Sequence, residues 1–518
     1  MSEGDRGSPA RTFFSLLRAQ AERFGDRPAV VAGGKTTTYR QLFDAAARVA
    51  GGLAARGIGR GSRVGVLAEN RREWLEAVFG ATALGAVAVP LSTWSREGEL
   101  DYLIGDAELD ALVAVAAFGG QDFAGALAAL RPKHPHLQTR VMLGLEYDRF
   151  VAGAAPVAAD AASPDGDALI LYTSGSSARP KAVRLIHRSI IENGFNIGER
   201  MALTEADRVL LAPPLFWAYG AVNALPAALS HGAALVLQPR FEPGGWLDLI
   251  ERERCTAVYT LPSMTGAALR HPEFRRERTA SLRTGLMIGS SEEVRLAAEE
   301  LGVPQICNIY GATETYGNCA VTPADWPLER RMVSQGPPLP GMTIRIVDPD
   351  TGRVLPPGEA GAVEVAGHVT PGYCGASARH NAAAFTADGY FRTGDLALLD
   401  ENGDFHFVAR GSDVIKRAGI NVSPAEVETL LLRHPTVAQA AVVGAPAGEL
   451  GEAIVAFVVP APGAAPDAAA LREHCRALAS SYKTPDRIEI CAALPVTETG
   501  KLFRRGLKER ASTLIVCE

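Results

Sequence analysis

Tyr172-Thr173-Ser174-Gly175-Ser176-Ser177-Ala178-Arg179-Pro180-Lys181 is the most informative stretch of this 518-residue chain. It follows an apolar run, residues 168–172, that reads as a buried strand, and it ends on a lysine. Hydroxyls and backbone N–H groups at this density suit an anionic ligand, and Lys181 adds a charge for phosphate oxygens. The run is not a Walker A loop, which needs G-x-x-x-x-G-K-[ST]. By composition alone, a Ser/Gly-rich turn without a ligand is the plain alternative.

Around this loop, helical spacing alternates with short apolar runs. Residues 41–56 (QLFDAAARVAGGLAAR) have the spacing of an amphipathic helix, and residues 64–67, 209–211 and 234–237 read as buried strands. Strands separated by helices predict βαβ units and mostly parallel sheets. Residues 152–167, rich in Ala, Pro, Asp and Gly, read as a surface connection. Near position 395 the pattern changes. DENGD at 400–404 reads as a turn between strands, and Ser423-Pro424-Ala425-Glu426 matches a capping box opening a helix to about residue 434. Strands at 439–443, 453–459 and near 488, with a helix at 467–478, complete a small α+β unit. The expected fold is α/β: a large multi-layer body with mostly parallel sheets, residues 1–409, a hinge at 410–413, and a small α+β lid, residues 414–518.

Hydrophobic residues make up 47% and charged residues 21%, which excludes disorder for the bulk of the chain. With 52 basic and 58 acidic residues the net charge is −6, so no global basic field invites nucleic acid. The seven cysteines form no C-x-x-C pair and read as reduced thiols in a cytoplasmic protein. The N-terminus lacks the apolar core of a signal peptide. The longest nearly apolar stretch, residues 77–91, is shorter than the roughly 20 residues a membrane span needs, so no membrane partner is expected.

Four further stretches accompany the loop. They are Asn308-Ile309-Tyr310-Gly311-Ala312-Thr313-Glu314, Tyr390-Phe391-Arg392-Thr393-Gly394-Asp395, Val408-Ala409-Arg410-Gly411-Ser412-Asp413-Val414-Ile415-Lys416, and Leu494-Pro495-Val496-Thr497-Glu498-Thr499-Gly500-Lys501. Taken in this order with the loop, they resemble the motifs of the adenylate-forming superfamily, which includes acyl- and aryl-CoA ligases. The resemblance runs from about Phe13 to Lys508.

It implies a two-step reaction using ATP, Mg²⁺ and coenzyme A, in which a carboxylic acid becomes an acyl adenylate and a thiol then displaces AMP. Bringing an anion against a polyanion calls for cations and oriented donors. By the same resemblance, Lys501 is the main catalytic cation, and otherwise a solvated lysine in a Gly-Lys turn. Glu314 holds Mg²⁺, with Thr173 nearby, and otherwise makes a helix-start contact. Lys181, with Thr173, Ser174, Gly175, Ser176 and Ser177, binds phosphate, and Asp395 takes the ribose hydroxyls with Arg410 beside it. Gly289, Ser290 and Ser291 line the adenine side with Tyr310 stacking on the base, and Asn308, Gly311 and Thr313 also bind ATP or AMP. Ser412 is the hinge, and Lys416, Arg417 and Gly419 approach coenzyme A. Ala178 and Ala182 stand where relatives usually carry glycine, and Ser412 stands where they commonly carry Asp or Lys.

The acid site is expected at Phe216, Trp217, Ala218, Tyr219 and Gly220. No Asp or Glu occurs from Val209 to Phe241, so an α-ammonium group would lack the carboxylate that a buried charge requires. Phe-Trp-Ala-Tyr-Gly instead resembles the Phe-Ala-Tyr-Gly stretch of benzoate-type CoA ligases, implying benzoate, a hydroxybenzoate or anthranilate. A cyclic or medium-chain acid, a ligase loading a carrier protein, and a catalytically dead nucleotide-binding protein are the alternatives.

Overall fold

The computed structural model describes residues 10–157, 159–173, 180–410, 413–417, 420–447, 451–478, 483–497 and 502–516. Phe13–Phe24 and Tyr39–Ala54 are helices, each opened by a threonine, Thr12 and Thr38, whose hydroxyl accepts the N–H three residues on. Among the described residues the strands gather first into an eight-stranded sheet. Its order is Ala320–Val321, Gln305–Tyr310, Thr284–Met287, Ala257–Tyr259, Arg208–Leu211, Ala234–Leu237, Pro28–Ala32, Lys35–Thr38. A seven-stranded sheet runs Tyr373–Cys374, Lys181–Ile186, Asp167–Thr173, Val87–Leu91, Arg63–Leu67, Ala111–Ala114, Thr139–Met142.

Both sheets are parallel in the middle and antiparallel only at edges. Central strands such as Ala234–Leu237 and Val87–Leu91 are buried throughout, as a parallel sheet covered on both faces requires. Pro90 lies inside Val87–Leu91 and lacks the N–H a ladder needs. Accordingly the strand pairs in full register with Arg63–Leu67, whereas its other side meets Asp167–Thr173 at the single pair Ala88↔Leu169.

The chain divides into two compact units. One comprises Met1–Ile344, Glu364–Arg392 and Asn402–Phe405, and the other Arg345–Val363, Thr393–Glu401 and His406–Glu518. In the second, Val437–Pro446 pairs antiparallel with Glu452–Pro460, which pairs parallel with Arg487–Ile490. Helices Pro424–Leu432 and Ala468–Leu478 bury Val427, Leu431, Leu471 and Cys475 against one face of this sheet. Helix Arg504–Val516 places Leu507 and Ala511 against Val443 and Phe457 on the other. Three-layer packing is what the continuous apolar runs of Val437–Pro446 and Glu452–Pro460 call for, since both faces of the sheet must be covered.

Pro424–Leu432 starts where the capping box places it, but the box does not form. The Ser423 hydroxyl donates to the Val408 carbonyl at 2.9 Å, and Glu426 pairs with Lys483 at 3.0 Å. A tertiary acceptor wins over the helix's own N–H groups. The described cysteines are unbridged, as expected. No helix among the described residues is long and apolar enough to cross a membrane.

The large unit contains a buried imidazole. His187 is 1% exposed, its Nδ1 accepts the Phe13 N–H at 3.2 Å, and burial pulls its pKa down to about 4. The unfolded chain therefore binds the extra proton first. Stability is complete above the ordinary histidine pKa and is lost as pH falls from about 6.5 toward 4, by up to about 3 kcal/mol. Denaturant unfolding between pH 7 and 4 should show this slope, and His187→Asn, whose Oδ1 can replace Nδ1 as acceptor, should flatten it.

Candidate active site

Thr173 and Lys181 are register partners in the antiparallel pair Asp167–Thr173 and Lys181–Ile186, so they stand opposite each other at the base of the expected phosphate loop. Ser174, Gly175, Ser176 and Ser177 lie outside the described residues, as do Ser412, Gly419 and Lys501. Two clamps fix that base. The Tyr172 hydroxyl donates to Asp106 Oδ2 at 2.8 Å, and Asp106 Oδ1 accepts the Ala376 N–H at 2.8 Å. On the next strand, Ser377 Oγ accepts the Ala182 N–H at 3.2 Å.

Glu314 sits in a short helical turn, Thr313–Thr315, just beyond the strand Gln305–Tyr310. Its Oε1 accepts the Tyr373 hydroxyl at 2.9 Å, and Lys181 Nζ lies 5.1 Å from the centre of the same tyrosine ring. Lys181 and Glu314, far apart in sequence, are thus gathered at Tyr373, with Thr173 paired to Lys181 across the ladder. Burial first, and the Glu314 carboxylate second, raise the Tyr373 pKa, so the phenol remains a neutral donor. The turn is tight: Gly317 has φ +92°, a left-handed conformation that suits glycine, and Gly311 packs on its carbonyl.

Asn308 is fully buried and binds Gly289 both ways, Nδ2 to the Gly289 carbonyl at 3.3 Å and Oδ1 from its N–H at 3.4 Å. This joins two of the expected adenine-side stretches. Ser290 caps the following helix in a reciprocal box with Glu293, and Ser291 Oγ donates to the Met332 carbonyl at 2.8 Å, so both hydroxyls already have structural partners. Tyr310 is 4% exposed and stacks on Phe405, with ring centres 4.2 Å apart.

In the second unit, Asp395 is buried and accepts from Arg410 Nε at 3.3 Å, the arginine side chain being 67% exposed. Arg417 is paired with Asp486, and Lys416 lies in the same short strand, Ile415–Arg417.

The aromatic stretch begins after Arg208–Leu211. Phe216 and Trp217 meet Trp94 edge-on, with ring centres 5.3 and 5.1 Å away. Tyr219 opens a π-helical turn, Tyr219–Ala224, and packs at 5.0 Å on Tyr259. Its hydroxyl donates to the Leu286 carbonyl at 2.6 Å and approaches that of Thr260 at 3.2 Å, and burial pushes its pKa well up. The Tyr219 proton is therefore committed to the backbone, and toward a ligand this residue offers a ring and an acceptor. Ala218 is half-buried and Gly220 buried.

The AMP-binding enzyme family model matches residues 17–374, and that of the AMP-binding enzyme C-terminal domain matches residues 426–501. The chain belongs to the AMP-binding enzyme family. A feruloyl-CoA synthase from an Amycolatopsis species is 34% identical across 93% of this chain and 95% of its own. A sulfoacetate–CoA ligase from Cupriavidus necator is 32% identical across 96% and 98%. The structure of an anthranilate CoA ligase, AuaEII, in complex with anthranoyl-AMP superposes with a TM-score of 0.87 at 26% identity, covering 98% of each chain. The protein is an AMP-forming acid–CoA ligase that uses ATP, Mg²⁺ and coenzyme A on a carboxylic acid.

As an AMP-binding enzyme it must accommodate Mg²⁺, and the donor set fits. Among the described residues no cluster of three or more His, Cys, Asp or Glu forms a metal cage. Glu314 has one oxygen held by Tyr373, and among the described residues nothing pairs with the other. One or two protein oxygens completed by nucleotide phosphates and water is how this hard cation is usually held.

Sequence reasoning missed Tyr373, Trp94, Asp106 and Asn70. Asn70 is 1% exposed, and its Oδ1 accepts the Leu215 N–H at 2.7 Å. Its Nδ2 faces the carbonyls of Pro213 at 3.0 Å and Gln238 at 3.1 Å. A polar residue just past the apolar strand Arg63–Leu67 was the available signal. Removing this amide strands several buried backbone groups, at about 1–3 kcal/mol each. Asn70→Ala should lower unfolding free energy by about 3 kcal/mol in denaturant titrations and raise KM for the acid more than KM for ATP.

Proposed function

We propose that this ligase activates an aromatic carboxylic acid, of benzoate, hydroxybenzoate or anthranilate type, and passes the aryl group to coenzyme A. The observation that carries this reading is the aromatic wall of Phe216, Trp217 and Trp94, the first two of which lie in a stretch, Val209 to Phe241, free of carboxylates. Aromatic rings in edge-on and offset contact gain about 0.5–1.5 kcal/mol beyond area burial. The feruloyl and anthranilate ligases support the reading by the acids in their names; the sulfoacetate ligase keeps open a small polar acid, and the lack of any Asp or Glu from Val209 to Phe241 keeps open a cyclic or medium-chain one.

In the proposed reaction a carboxylate oxygen attacks the α-phosphorus of ATP and the bond to pyrophosphate breaks. The thiol sulfur of coenzyme A, losing its proton, then attacks the acyl carbon, and AMP leaves. Mg²⁺ supplies charge neutralisation for the phosphates and is held by Glu314, with Thr173 beside it. Lys181 and the loop Ser174, Gly175, Ser176 and Ser177 bind phosphate oxygens. Gly289, Ser290 and Ser291 line the adenine side, where Tyr310, with Phe405 stacked behind it, stacks on the base, and Asn308, Gly311 and Thr313 complete the nucleotide site. Asp395 accepts the ribose hydroxyls, steadied by Arg410. Residues 1–409 form the binding body and 414–518 a mobile lid turning at Ser412, with Lys416, Arg417 and Gly419 toward coenzyme A. In the first pose the lid presents Lys501, which bridges the carboxylate and α-phosphate oxygens.

Lys501→Ala should therefore lose adenylation by two to three orders of magnitude, about 3–4 kcal/mol of transition-state charge stabilisation. Thioester formation from supplied aryl-AMP should stay within a few-fold of wild type. Pyrophosphate exchange and thioester assays on the two half-reactions separate these outcomes, and equal loss in both would reject the two-pose assignment.

A panel of acids tests the substrate class. Benzoates should outperform linear acids of equal size by a few-fold to about tenfold, the size of the ring–ring contribution of about 0.5–1.5 kcal/mol. Ala218→Leu should raise KM for aryl acids about tenfold or more while leaving KM for ATP nearly unchanged. Octanoate outperforming every benzoate would reject the aryl reading and leave the ligase chemistry standing.

A further inference from the structure

Tyr373 is the point at which the expected phosphate lysine and the expected metal carboxylate meet. Its hydroxyl donates to Glu314 Oε1 at 2.9 Å, and its ring lies 5.1 Å from Lys181 Nζ. Lys181 and Glu314 both approach this side chain and form no ion pair with one another. The tyrosine they share is 4% exposed.

The main chain around Tyr373 is held as firmly as its side chain. Val183 and Tyr373 are register partners on adjacent antiparallel strands. Asn381 acts as a further strand partner, its Oδ1 accepting the Tyr373 N–H at 2.8 Å and its Nδ2 donating to the Tyr373 carbonyl at 3.1 Å. Thr370 closes the circuit. Its N–H donates to the Glu314 carbonyl at 2.7 Å, and its hydroxyl donates to the Arg184 carbonyl at 2.6 Å. The backbones of Glu314, Tyr373 and the Lys181 strand are thereby fixed with respect to each other.

We propose that Tyr373 is a positioning residue for the adenylation step: it holds Glu314 with one carboxylate oxygen open for Mg²⁺-bound ATP and keeps Lys181 apart as a separate phosphate ligand. This rests on the reading of Glu314 as the metal ligand. A phenol has one proton to give, so it can satisfy one carboxylate oxygen and no more. The ring attracts the ammonium weakly, leaving its three donors for phosphate, whereas a direct ion pair with Glu314 would consume cation and carboxylate together.

The test separates the hydroxyl from the ring. ATP binding is measured by titration calorimetry with and without Mg²⁺, beside the Mg²⁺ dependence of pyrophosphate exchange. Tyr373→Phe should leave metal-free ATP affinity within two- to threefold of wild type and cut the Mg²⁺-dependent gain about tenfold, the usual scale for a hydrogen bond to a charged group. The Mg²⁺ requirement in exchange should rise by the same factor, with KM for the acid unchanged. Tyr373→Leu should in addition weaken metal-free ATP binding several-fold, because Lys181 loses its platform. Asn381→Ala, which keeps the phenol and loosens its backbone, should shift the Mg²⁺ requirement in the same direction by less, and thermal melts confirm that each variant is folded. A wild-type Mg²⁺ dependence in Tyr373→Phe, where Glu314→Gln has lost it, would overturn the inference alone. An unaltered Mg²⁺ dependence in Glu314→Gln would overturn the metal assignment, and the inference with it.

Discussion

The antiparallel pairing of Asp167–Thr173 with Lys181–Ile186 is the contact on which the site depends. It sets a hydroxyl and an ammonium opposite each other at the mouth of a loop rich in N–H donors. It also supplies the edge on which Tyr373 is laid. Adenylation forces two anions together, and a protein lowers that barrier by having its dipoles and charges in place before the substrates arrive. Ladder hydrogen bonds, carboxylate and hydroxyl clamps at Asp106 and Ser377, and the Thr370 bridge to Glu314 provide that fixity.

Much of this was legible in the sequence where chemistry is local. Runs such as residues 234–237 and 64–67 read as strands because a parallel sheet is buried on both faces and tolerates no polar alternation. The motif order, too, carried the family, confirmed across residues 17–374 and 426–501. What sequence could not show was which distant residue completes a local motif. Tyr373 and Lys181 are nearly two hundred positions apart and become neighbours only because an edge strand returns to the sheet. Ser423 illustrates the reverse error: its helix was right, and its hydroxyl was claimed by a carbonyl from another segment.

The proposed acid side follows a different physical rule from the proposed nucleotide side. There the tools are rings held edge-on and polar groups whose hydrogen bonds are already spent, as with Tyr219 and its two carbonyl partners. A wall with few uncommitted donors discriminates by shape and polarisability, which separates acids by modest factors. Relatives at about a third identity whose names carry acids as unlike as ferulate and sulfoacetate are in keeping with such a wall being readily rebuilt.

Asn70 explains how rebuilding can be tolerated. The backbone of the segment entering the proposed acid site is held by a side chain that belongs to another strand's end, so the trace is fixed from outside. Phe216, Trp217 and Ala218 are then relieved of the duty of folding their own loop, whereas Tyr219 stays tied to the Leu286 and Thr260 carbonyls. In the proposed acid site the first three form an exchangeable face on a permanent frame, where selection can sample new acids at little risk to the rest of the enzyme.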